Sequence, residues 1–169
     1  MQNRGGFGGS RSPATTRSMG PGGREESVNL AALLRPPATP IRYFLTDAEG
    51  KRAPDPELFD AKAQEVAQRL ADRKLPTTQL RRFFSPVVAL RLQVEAGEIT
   101  PDQLRAELGL LKARLVYAHK RPGMTVPAEL VRLFVEHGAS IRDNEDFVVF
   151  ARHVEAVVAY HTAFARGSR

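Results

Sequence analysis

From Pro56 onward the apolar residues fall at steps of three and four, the period of a helix with one buried face. Leu58, Phe59, Ala63, Val66, Ala67 and Leu70 predict a first long helix that ends near Lys74, before Pro76. Leu80, Phe83, Phe84, Val87 and Val88 follow the i, i+3, i+4, i+7, i+8 pattern and predict a second, capped by Thr77 or Thr78. Pro86 stands inside it and predicts a kink or a break, because proline returns no N–H to the preceding turn. Thr100-Pro101-x-Gln103 is a capping box with proline at the first helical position. The helix it opens carries a stripe of Leu104, Leu108, Leu111, Leu115 and Ala118. A fourth helix is expected from about Pro127 to His137, with Leu130, Val131, Phe134 and Val135 inward and Gly138 as the stop. The fifth starts near Asp143 or Asn144 and buries Phe147, Phe150, Ala151, Val154, Val158 and His161.

The N-terminal third reads differently. Seven of the thirteen glycines precede Arg24, and so little apolar surface accompanies them that residues 1–26 are expected to form a disordered arm. Residues 27–55 form a partly ordered transitional segment. Within it Val28–Leu34 predicts a short helix, Pro36, Pro37 and Pro40 break it, and Ile41–Leu45 is an extended run laid against the core. No strand alternation competes with the helical period. The expected architecture is all-α, a bundle of about five helices over residues 56–169 behind a Gly/Arg-rich arm.

Charge sharpens this picture because it is unevenly placed. The 169 residues carry a net +6, of which residues 1–24 hold +4 and residues 77–121 another +4, while the two remaining stretches each hold −1. In the arm the charge reads as incidental to disorder, since only one Arg-Gly-Gly triplet is present. In the central block Arg81 and Arg82 fall between the apolar positions of their helix. Arg105 and Lys112 edge one side of the leucine stripe, Arg114 and Arg121 the other, and Lys120 faces away, with Tyr117 among them. Guanidinium forks suit phosphate, so this block is either a phosphate-tracking surface or an ordinary solvated helix face.

Other chemistry is scarce. The chain has no cysteine, which excludes disulfides, thiolate metal sites and a cysteine nucleophile. His153 and His161 lie eight apart, not at the i, i+4 spacing of a zinc helix, and His161 falls on an apolar face as a core histidine would. His119 and His137 lie on other helices, and no phosphate loop or nucleophile elbow is present. No stretch approaches the roughly 18 apolar residues of a membrane span. The chain reads as soluble, cytoplasmic, non-enzymatic and free of any metal or cofactor.

Three segments together carry a resemblance. Thr77-Thr78-Gln79-Leu80-Arg81-Arg82-Phe83-Phe84, the run Leu111-Lys112-Ala113-Arg114-Leu115-Val116-Tyr117-Ala118-His119-Lys120-Arg121, and Val154-Glu155-Ala156-Val157-Val158-Ala159-Tyr160-His161 occur in this order. They resemble the motifs of the small subunit of type III-A CRISPR effector (Csm) complexes, over about residues 57–166. The resemblance implies a non-catalytic helical subunit that stacks in several copies beside the backbone and large subunits, along the paired crRNA and target RNA. Carried over position by position, the RNA-facing residues are Arg81, Arg82, Lys112, Arg114, Lys120 and Arg121. Leu80, Phe83, Leu115, Tyr117 and Ala156 are expected to hold the helices together. The competing reading is a helix-turn-helix-like DNA-binding regulator, which the spread of the bases along one long helix disfavours.

Overall fold

The computed structural model describes residues 29–123 and 126–167. The expectation of a disordered arm over residues 1–26 lies outside the described residues. Among the described residues six α-helices carry the fold: α1 (Leu30–Leu33), α2 (Ala61–Asp72), α3 (Thr77–Glu95), α4 (Pro101–Lys120), α5 (Ala128–Ser140) and α6 (Asn144–Gly167). The all-α expectation holds with one addition, an antiparallel hairpin of β1 (Phe44–Thr46) and β2 (Arg52–Pro54), with Leu45 opposite Ala53.

The extended run at residues 41–45 leads into β1 and supplies its first two residues. The run's buried residue is Tyr43, and the Ile41 N–H donates to Ser140 Oγ at 2.9 Å, which ties the run to the end of α5. At the turn, Asp47 accepts the Lys51 N–H on its side chain at 2.7 Å, and Gly50 takes the left-handed conformation there (φ 81°). Strands of three residues are too short to show alternation, so periodicity alone does not reveal them.

Helix α6 is the central element. α2 and α3 both pack on it, while α4 leans mainly on α5 and touches α3 far less. The core between them is aromatic: Phe84 stacks on Phe134, Phe134 meets Phe150 edge-on, and Phe150 reaches both Phe147 and His137. α2 ends at Asp72, close to the expected Lys74, and the left-handed backbone of Lys74 (φ 56°) turns the chain so that Leu75 is buried and its N–H reaches the Leu70 carbonyl.

Two expected boundaries move. α3 runs through Pro86 without interruption. Burial of Leu80 and Phe84 before the proline, and of Val87, Leu90 and Val94 after it, keeps both turns helical despite the missing hydrogen bond. α5 continues past Gly138 to Ser140, because Ser140 is buried, donates to the Glu136 carbonyl at 2.7 Å and accepts from Ile41. Helix α4 begins where the capping box puts it. Gln103 N–H donates to Thr100 Oγ1 at 3.3 Å, and the Gln103 side chain accepts the Thr100 N–H at 2.9 Å. Thr100→Ala is expected to cost about 1 kcal/mol, read as a drop of roughly 2–4 °C in Tm. Thr100→Ser is expected to restore it.

Candidate nucleic-acid interface

The basic block lies on α3 and α4, two helices that touch only sparingly and leave a cleft between them. Three features of the sequence shape that cleft. On α3, Arg82, Phe83 and Pro86 occupy neighbouring positions on one side. On α4, Arg114, Tyr117 and Arg121 stand at i, i+3 and i+7, so they share a face beside the leucine stripe. Leu111, Leu115 and Ala118, from the edge of that stripe, complete the wall. The space enclosed is about 300 Å³.

Charge in the cleft has one sign. Arg82, Arg114 and Arg121 line it and no carboxylate does. Among the described residues no acid lies within ion-pair distance of any of the three. On the same helices Arg91 and Arg105 are paired. Arg91 bridges Glu95 and Glu155 at 3.5 and 2.9 Å, and Arg105 pairs with Asp102 at 2.7 Å and donates to the Arg142 carbonyl. The other grooves all carry carboxylates. The one between α2 and α5 sets Arg69 and Arg132 against Glu129 and Glu136, and the one beneath the hairpin sets Arg152 against Glu95 and Glu145. Arg132 is tied to Glu136 at 2.6 Å and Arg69 to Glu65. An excess of unneutralised guanidinium around a concavity is a place for an anion.

The six RNA-facing residues expected from the sequence do not form one surface. Arg82, Arg114 and Arg121 come together. Arg81, one residue and therefore about 100° round the helix, lies instead in a groove toward α6 with Phe84, Ser85, Val88, Val154 and Glu155. Lys112 is exposed on α4 two residues from Arg114, which turns it about 200° away from the cleft. Lys120 is also exposed and outside the cleft.

Tyr117 is the correction. Expected to hold helices together, it is 67% exposed and forms part of the cleft wall. It stands one residue before the buried Ala118, about 100° round the helix, so it borders the leucine stripe on the cleft side while its ring lies outside the core. Leu80 and Leu115 are buried as expected, and Phe83 and Ala156 are half-buried.

The histidines serve the fold. His161 is buried with Nδ1 3.3 Å from Thr77 Oγ1, at the start of α3. His119 Nδ1 lies 2.7 Å from the Val126 carbonyl and joins the end of α4 to the start of α5. His137 and His153 stack at 5.0 Å in the core, with the Tyr43 hydroxyl 2.9 Å from His137 Nδ1 and the Leu58 carbonyl on His153 Nδ1. Burial, and the Asp146 charge nearby, push the Tyr43 phenol well above its ordinary range. Among the described residues no cluster of three or more His, Asp or Glu is arranged to hold a metal ion, and no helix is long and apolar enough to cross a membrane.

No curated protein and no solved structure matches the chain. The model of the family described as Csm2 Type III-A matches residues 53–167, which span α2 to α6 and both walls of the cleft. That is well over half of the chain, so the protein belongs to this family of small subunits of type III-A effector complexes.

Proposed function

We propose that the protein is a non-catalytic RNA-contact subunit of its effector complex, and that it holds the crRNA–target RNA duplex through phosphates. The carrying observation is the α3–α4 cleft, where Arg82, Arg114 and Arg121 stand without a neutralising carboxylate. Contacts of this kind set position and affinity without reading bases, as a subunit repeated along a guide of arbitrary sequence requires. Arg81, Lys112 and Lys120, on other faces, serve either RNA at its margin or the backbone and large subunits and further copies of the chain. RNA cleavage falls to neighbouring subunits in this reading. The histidines that would be the first candidates for acid–base work are each engaged in helix packing.

The test is binding of the full chain to guide–target RNA duplexes of unrelated sequence, titrated in salt. Affinities are expected to agree between sequences and to fall steeply between 50 and 200 mM salt, as counterion release dictates. Discrimination between the sequences, or tighter binding to duplex DNA than to the RNA duplex, would sink the proposal. The latter result would favour a helix-turn-helix-like regulator.

A further inference from the structure

Phosphate contacts leave half of the cleft unexplained. Behind the three arginines the walls are apolar, formed by Phe83, Leu111 and Leu115, and Tyr117 stands at the mouth 67% exposed. A hydrated phosphate gains nothing from an apolar wall. Nor does a paired base reach it, because an A-form duplex keeps its bases stacked inside and offers only edges along a shallow groove. A base released from pairing fits both halves. It has a π-face for Tyr117 and for a guanidinium plane, and a phosphate for the remaining arginines. The size agrees: about 300 Å³ lies at the low end for small-molecule sites, room for one planar group and not for a helix or a strand. Pro86 adds an acceptor. It stands in the cleft wall and has no N–H to return to the Arg82 carbonyl four residues earlier, so that oxygen lacks its helical donor.

We propose that the α3–α4 cleft binds one unpaired nucleotide, its base against Tyr117 and the apolar wall and its phosphate on Arg82, Arg114 and Arg121. The proposal rests on the RNA-contact reading above and assigns that surface a second, distinct ligand state. Base stacking tolerates any base, so no sequence preference is expected.

The experiment uses the full chain and a short RNA carrying 2-aminopurine, free or annealed to its complement. Single-stranded RNA is expected to bind with quenching of the fluorophore. Tyr117→Ala should abolish the quench and weaken single-strand binding roughly 10-fold, several times more than it weakens duplex binding. Tyr117→Phe should retain both. Equal effects of Tyr117→Ala on the two RNA forms, or none on either, would overturn the nucleotide site while leaving duplex binding through the arginines intact. Failure of the wild-type chain to bind either form would overturn the RNA-contact reading and this inference with it. If Tyr117→Ala instead released the chain from the purified effector complex without changing RNA affinity, the cleft would belong to a neighbouring subunit and the proposal would fall.

Discussion

Replacing Arg82, Arg114 and Arg121 together with alanine is expected to lower RNA-duplex affinity about 100-fold at moderate salt, with the fold intact. Each exposed, charge-assisted phosphate contact is worth about 1 kcal/mol after screening, and three give about 3 kcal/mol. Their loss should also flatten the salt dependence, reducing the slope of log affinity against log salt by about 2–3. Stability should change little, since all three side chains line an open cleft with no acid against them among the described residues. Arg91→Ala is the matched control: it removes one arginine from the same helix, but one already paired with Glu95 and Glu155. Arg81→Ala with Lys112→Ala tests the other faces and should weaken binding less than the triple change. Filter binding across a salt series reads all of these. A triple variant that binds like the wild type, with the same salt slope, would show that the cleft does not meet RNA.

The site was legible in the sequence at the level of helices and lost at the level of neighbours. Helical period placed the leucine stripe of α4 correctly and set Arg114 and Arg121 on its edge, because a side chain's bearing on its own helix follows from residue number alone. It did not separate Arg81 from Arg82. Both are exposed on α3, and what distinguishes them is that one borders α4 and the other borders α6, which no single-helix pattern encodes. Tyr117 shows the opposite error. Its position one residue before Ala118, about 100° round the helix, already sets it at the edge of the stripe, and reading it as a packing residue followed the motif rather than the wheel.

The fold divides along similar lines. Local chemistry with a fixed stereochemical answer was readable: the Thr100–Gln103 capping box and the turn at Lys74 stand where the residues put them. Gly138 favours a stop and Pro86 a kink or a break, yet α5 runs on to Ser140 and α3 is not broken, since tertiary burial outweighs both local signals. Ser140 is pinned to Ile41 across 99 positions of sequence, and a partner that distant leaves no local trace. The hairpin leaves little local trace, for its strands bury no residue fully, and the core residue just before them, Tyr43, gets its role from His137 on α5.

The same histidine sets the strongest expectation for stability. His137 and His153 are both buried and stack at 5.0 Å. Burial pushes each below the ordinary histidine value of 6.5, His137 strongly so, with His153 adding to the effect there and Lys62 lowering His153 in turn. The Leu58 carbonyl on Nδ1 works against the shift of His153, but its Nε2 is buried without a partner among the described residues, so a proton there would find no acceptor. Both rings are therefore neutral in the fold near pH 7. The unfolded chain protonates both rings as pH falls through 6.5 while the folded chain resists, and His161, also lowered by burial, adds to the difference. Stability is accordingly complete above about pH 7 and declines below 6.5, at a limiting slope of about 1.4 kcal/mol per pH unit for each ring. Urea denaturation between pH 5.0 and 8.0 should show a midpoint that is flat on the alkaline side and falls steadily on the acid side. His153→Gln removes one titrating ring and keeps a side-chain N–H for the Leu58 carbonyl, so its acid limb should be shallower by about one proton. A wild-type midpoint as high at pH 5.5 as at pH 7.5 would mean that the folded state accepts these protons and that the stacked pair is not what acid attacks.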